Sequence, residues 1–196
     1  MSEILKTEIE SLRYNRIWVT KKARMEAEAR MNRNDIFTQL LVNYYTFVVL
    51  AFSIWTLVSQ DSGMSLLTVI ASVGLFGVSI FVSSIGYREK ALQFKESYLS
   101  LNQLEFELKD LLRSTATDND MLSAELRKFE RQYSEILTKS ENHIDIDYIK
   151  VQLKHDKKLT SGEFIKYYIH NIIYYFFSSI LILAPVILSF VYIGGI

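Results

Sequence analysis

The sequence predicts an all-α membrane protein: a two-helix transmembrane hairpin, a cytoplasmic helical bundle and a third transmembrane helix at the C-terminus. Three observations carry this expectation. Segments 36–60 and 62–87 contain no Asp, Glu, Lys or Arg and are separated only by Asp61, and each exceeds the roughly 20 residues a helix needs to cross a bilayer. A further charge-free stretch, 169–196, holds the single proline, Pro185. Elsewhere apolar residues recur at helical spacing, and Gly162 is the only glycine or proline in 1–35 or 88–168, so the remainder reads as amphipathic helix rather than strand.

Composition narrows the function classes. Of 196 residues 49% are apolar, and 22 Lys and Arg balance 22 Asp and Glu; without a global positive charge, no direct nucleic-acid binding is expected. The absence of cysteine excludes a disulfide framework, thiolate chemistry and a Cys-based zinc site. Segment 1–35 is charged and helix-patterned, unlike a short apolar signal peptide.

In 1–35, Leu5, Ile9, Leu12, Val19 and Ala23 mark an amphipathic helix that Ser2 is placed to cap. Its second half mixes charges, and Lys22, Glu26 and Arg30 lie four apart on one face. The plain reading is a solvated, salt-laced helix. The sharper one is that Lys21, Lys22, Arg24, Arg30 and Arg33, with Arg88 beyond the hairpin, contact anionic headgroups or a gate, since juxtamembrane cations are attracted to such lipid.

The first span, 36–60, carries Gln39, Asn43 and Thr46 along one stripe, with Ser53 and Thr56 further on. Such residues bond to neighbouring helices or line a water-filled pore, because lipid satisfies none of their polar groups. In the second span, 62–87, Ser72, Gly74, Gly77, Ser79, Ser83, Ser84 and Gly86 form a small-residue surface that permits close helix approach. Ser72, Ser79 and Ser83 are the alternative pore-lining set. No Asp, Glu, Lys or Arg lies inside either span, so a charged ion pathway or proton relay there has no candidate. Eight Lys and Arg precede residue 36, and Arg88, Lys90 and Lys95 follow residue 87, which orients both hairpin ends to the cytoplasm.

Segment 88–168 is expected to form the cytoplasmic helices. Ala91, Phe94, Tyr98, Leu101, Leu108 and Leu112 define one seam, Leu122, Leu126, Phe129, Tyr133 and Ile136 a second, and 114–120 a polar turn between them. Glu141, His143, Asp145 and Asp147 invite a metal or acid–base reading, but no HExxH motif, second His cluster or phosphate loop accompanies them. Asn142 and His143 are therefore assigned to capping and turn formation. Thr160-Ser161-Gly162-Glu163 is a capping box opening the last helix, which Pro185 is expected to bend near Leu181. No nucleophile, base and orienter occur together, so no catalytic residue, metal or cofactor is assigned and the chain is not read as an enzyme.

Several of these stretches resemble a known family. Lys21-Lys22-Ala23-Arg24, the run from Ala29 to Asp35, Tyr44-Tyr45, the Ser79-to-Gly86 end of the second span, Tyr87-Arg88 with Ala91-Leu92-Phe94-Tyr98, and Glu141-Asn142-His143 with Asp147-Tyr148 are similar to the SLATT family, most nearly its fifth subfamily. The resemblance covers about residues 5–168, and the third span departs from the two-span pattern. Arg24, Arg30, Arg88, His143 and Tyr148 match recurring family positions, without roles attached. The resemblance implies a prokaryotic antiviral effector that forms a pore; with the charge bias, the expectation is a homo-oligomer of the inner membrane, N-terminus cytoplasmic. It also implies a sensor partner such as a reverse transcriptase or a nucleotide second-messenger system. A non-conducting anchor or scaffold for such a sensor is the alternative.

Overall fold

A computed structural model of the chain describes residues 3–60, 62–113, 119–139, 141–155 and 159–194, with side chains to 191. Among them every regular element is helical: α1 (Glu3–Ser11), a π-helical stretch (Leu12–Trp18), α2 (Val19–Ser59), α3 (Ser62–Ile85), α4 (Tyr87–Arg113), α5 (Asn119–Thr138), α6 (Asp145–Lys154) and α7 (Ser161–Gly194). Ser2, Asp61, residues 114–118, Lys157 and Lys158 lie outside the described residues. Three helices are long and apolar enough to cross a membrane.

The junctions follow from local chemistry. After α2, Gln60 adopts φ 54° and its N–H donates to the Thr56 carbonyl at 3.1 Å. Between α3 and α4, Gly86 takes φ 66°, a conformation that costs glycine nothing because it has no Cβ. The predicted capping box opens α7: the Glu163 carboxylate accepts from Thr160 N at 2.9 Å, and Thr160 Oγ1 accepts from Glu163 N at 3.4 Å.

The chain divides into two compact units, Met1–Asn32 with Arg88–Tyr167, and Arg33–Tyr87 with Tyr168–Ile196. The first is built on Ile9, Leu12, Ile17, Leu101, Leu104, Leu108, Leu122, Leu126 and Phe129. Leu12 and Ile17 stand five apart, a spacing that drifts round an α-helix. The π-helical stretch, with its i→i+5 turn, brings both to the core side, a register shift that the periodicity of 1–35 did not show. On α4 the buried residues are Ala91, Phe94, Ser97, Leu101, Leu104 and Leu108. The seam therefore runs through Ser97 and Leu104, while Tyr98 and Leu112 are only half-buried.

In the second unit few residues of the apolar stretches are fully buried by the chain itself. That arrangement suits helices whose solvent is hydrocarbon, where only the backbone must be satisfied internally.

Candidate functional site

The second unit presents the polar stripe of its first span outward. Val49, Tyr45 and Val42 of α2 face α3 and α7 across an apolar cavity of about 380 Å³. A neighbouring cavity of about 460 Å³ is lined by Phe52, Met64, Thr68 and Pro185 among others. Gln39, Asn43 and Thr46 lie on a different face and are all exposed. None bonds across to another span among the described residues: Gln39 donates back to the Asp35 carboxylate at 2.9 Å, and Thr46 to the Val42 carbonyl at 2.8 Å. The hydrogen bonds expected within the hairpin are absent from this stripe because the inter-span face is occupied by apolar side chains and Tyr45.

The alternative stripe on α3 behaves similarly. Ser72 and Ser83 are exposed and Ser79 is half-buried, and Ser72 Oγ is satisfied locally by the Thr68 carbonyl at 2.8 Å. A Cβ placed on Gly74 or Gly77 would meet nothing within 4 Å, so this chain does not itself use the small residues for close helix packing.

Across the three spans, Tyr45 Oη donates to the Leu181 carbonyl at 2.8 Å and Tyr44 Oη to that of Ile182 at 3.2 Å. Pro185 has no N–H to give the carbonyl four residues earlier, and that carbonyl belongs to Leu181. The sequence placed the proline's effect near Leu181 but did not show the tyrosine that serves its carbonyl.

In the first unit much of the basic cluster is consumed internally. Arg24 is fully buried and donates to the carbonyls of Ile136 and Leu137 at 3.2 and 3.4 Å, closing the C-terminal end of α5, where such carbonyls lack helical partners. Burial holds its pKa below the usual arginine value, opposed by the nearby Tyr133. Arg30 forms a two-pronged pair with Asp147 at 2.9 and 3.0 Å. Lys21 bridges Asn102 at 3.1 Å and the Glu105 carboxylate. Each of these three cations, expected at headgroups or a gate, is held by acceptors on α4, α5 or α6. Lys22 is half-buried over the Trp18 ring, 6.0 Å from its centroid. Arg33 and Arg88 remain exposed, Arg33 lying 5.8 Å from the Tyr174 ring within the second unit.

The turn before α6 is also organised otherwise than expected. Asp147, 2% exposed, accepts from the Ile144 N–H at 3.2 Å while its own N–H donates to the Ile144 carbonyl at 3.0 Å. Asp147 therefore fixes the helix start, and Asn142 is exposed. An acid at the third helical position is a capping signal, hidden in the sequence because an isoleucine stands where Ser or Thr is usual. His143 is half-buried; burial lowers its pKa, Asp147 and Asp145 oppose this, and Arg24 reinforces it. Glu26 lies against Lys150 and Lys154. Burial raises its pKa, but hydrogen bonds and charge from the two lysines outweigh that and hold it below the usual carboxylate value. Among the described residues no three His, Asp or Glu are grouped to hold a metal ion.

No curated protein and no solved structure matches the chain. The family model of the SMODS and SLOG-associating 2TM effector domain family 5 matches residues 5–191. That range includes the third apolar helix, which the resemblance alone had set outside the family pattern. With three helices able to cross a membrane and a match over nearly its whole length, the chain belongs to SMODS and SLOG-associating 2TM effector domain family 5, the fifth SLATT subfamily.

Proposed function

We propose that this membrane effector assembles with further copies of itself into a pore in the prokaryotic inner membrane when a partner sensor of an antiviral system signals to it. The observation that supports this best is the outward stripe of Gln39, Asn43 and Thr46. An amide facing hydrocarbon without a partner costs several kcal/mol. Asn43 has no hydrogen-bond partner among the described residues, so a second copy or a water-filled lumen would relieve that cost. The open surroundings of Gly77 would let another copy's helix approach closely. Ser72, Ser79 and Ser83 are then the alternative lining.

The excess of Lys and Arg at both hairpin ends supports a cytoplasmic N-terminus. Arg33 and Arg88 are the cations free to contact anionic lipid, and Lys21, Arg24 and Arg30 are gate contacts through the helices they hold. A sensor such as a reverse transcriptase or a nucleotide second-messenger system acts by binding one arrangement of those helices better than another. Because α2 is one uninterrupted helix from Val19 to Ser59, no loop lies between Arg24 or Arg30 and the polar stripe.

The test is dye and ion release from liposomes reconstituted with pure protein, alone and with the product of the neighbouring gene. A partner-controlled leak that Asn43→Leu reduces at least tenfold is the expected outcome. Liposomes that stay sealed with the partner bound would replace the pore with a non-conducting anchor.

A further inference from the structure

We propose that the groove between α4 and α5 docks a basic amphipathic helix of a partner protein. Two adjoining hollows of about 420 and 210 Å³ lie between these helices. They open where α4 places Ser97 and Ser100, two small side chains, against the longer residues of α5. Along α4 the groove runs from Gln93 to Glu107, about 21 Å at 1.5 Å per residue, which is helix length rather than the size of a small metabolite.

Three features define the occupant. Glu96, Glu107 and Glu135 line the groove and, among the described residues, Lys139 is its one lining cation, so its charge complements a basic segment. Beside it Leu92, Leu99 and Phe106 are 53%, 51% and 58% exposed. Single exposed apolar residues are ordinary, but these recur every seven residues on one helix, the spacing at which a partner helix lays its own apolar seam. The third feature is Ser97: it is only 5% exposed, and its Oγ has no hydrogen-bond partner among the described residues. The Oε1 of Gln132, on the opposite wall, also lacks one. Both are covered, unpaired oxygens, which a donor-rich guanidinium or ammonium group seated in the groove reaches once the side chains over them move aside. A second copy using the same face would set Glu96 and Glu107 against like charges, which disfavours a self-contact.

The proposal rests on the proposed function only in supplying a surface for the signalling partner, and the two are tested separately. Full-length protein in phosphatidylcholine nanodiscs is titrated into a labelled 21-residue synthetic helix with Leu at heptad spacing and Arg on its flanks. A control peptide carries Glu in place of Arg. The Arg peptide is expected to bind, more weakly as salt rises, and Glu96→Gln/Glu107→Gln/Glu135→Gln to weaken it about tenfold, a few-fold per exposed pair. All three glutamates are exposed, so the variant retains the fold. Leu99→Ala should weaken binding independently. Equal binding of the Glu peptide, an unaffected triple variant, or equal binding to empty nanodiscs would overturn the proposal. So would full displacement by spermine, which would make this a small-cation site, or a change in self-association with the same variants. Binding without liposome leak would sink the pore and leave the docking site standing; partner-controlled leak without binding would do the reverse.

Discussion

The hydroxyl of Tyr45 donates to the Leu181 carbonyl at 2.8 Å, and Leu181 stands four residues before Pro185, so a side chain of α2 supplies the donor that α7 lacks. In hydrocarbon that carbonyl has no water to turn to, which makes this contact a tie between the first and third spans.

Tyr45→Phe is accordingly expected to destabilise the three-span unit by about 1 kcal/mol. Pro185→Ala restores the helical N–H, so the loss caused by Tyr45→Phe should shrink in the Pro185→Ala background. Unfolding in mixed detergent micelles across the four-variant cycle measures the coupling; strictly additive losses would show that the hydroxyl serves no proline-specific need.

Asp147 carries the Arg30 pair and the start of α6 together. Asp147→Asn leaves a largely enclosed guanidinium without its counter-charge, and breaking such a pair costs about 3–5 kcal/mol. Urea unfolding followed by circular dichroism should record the loss. Arg30→Lys should recover only part of the pairing, because an ammonium cannot make the two-pronged contact. Equal stability of Arg30→Lys and wild type would refute that geometry.

His143 sets a pH dependence whose sign follows from its depressed pKa. The unfolded imidazole takes up its proton near the ordinary histidine value of about 6.5, before the folded one does. Acidification therefore favours unfolding from about pH 6.5 downward, and the loss stops growing below the folded pKa. Thermal unfolding between pH 7.5 and 5.5 should fall for wild type and less steeply for His143→Gln. Parallel slopes would remove His143 as the cause.

Gly77→Leu separates packing within the chain from packing between copies. Nothing lies within 4 Å of a Cβ at this position, and leucine is the better helix former by nearly 1 kcal/mol, so the monomer should keep its stability. Crosslinked oligomers and liposome leak should both fall severalfold. Unchanged oligomers would exclude this face of α3 from the assembly.

The membrane spans were legible from the chain alone because their signal is local: an uninterrupted run without charge has few stable solvents other than lipid. The same holds for the Thr160–Glu163 box, whose two partners lie three residues apart, and for most of the seam of α4. Family membership was legible from scattered helical patterns, but its extent was not, since the third span offers length and hydropathy rather than distinctive residues.

Roles of individual side chains were a different matter. Lys21, Arg24 and Arg30 read as a free basic cluster because a sequence shows charges without their counter-charges. Asn102, Glu105, the α5 carbonyls and Asp147 lie 81 to 117 residues away, and only folding brings them into reach. The π-helical shift at Leu12–Trp18, the service of Leu181 by Tyr45 and the hollow beside Ser97 have the same origin. What the sequence by itself determined was how far each segment had to be from water, because transfer free energy sums residue by residue along a helix. What only the tertiary structure decided was which polar group meets which, because a hydrogen bond or ion pair depends on distances of about 3 Å between parts of the chain that periodicity cannot relate.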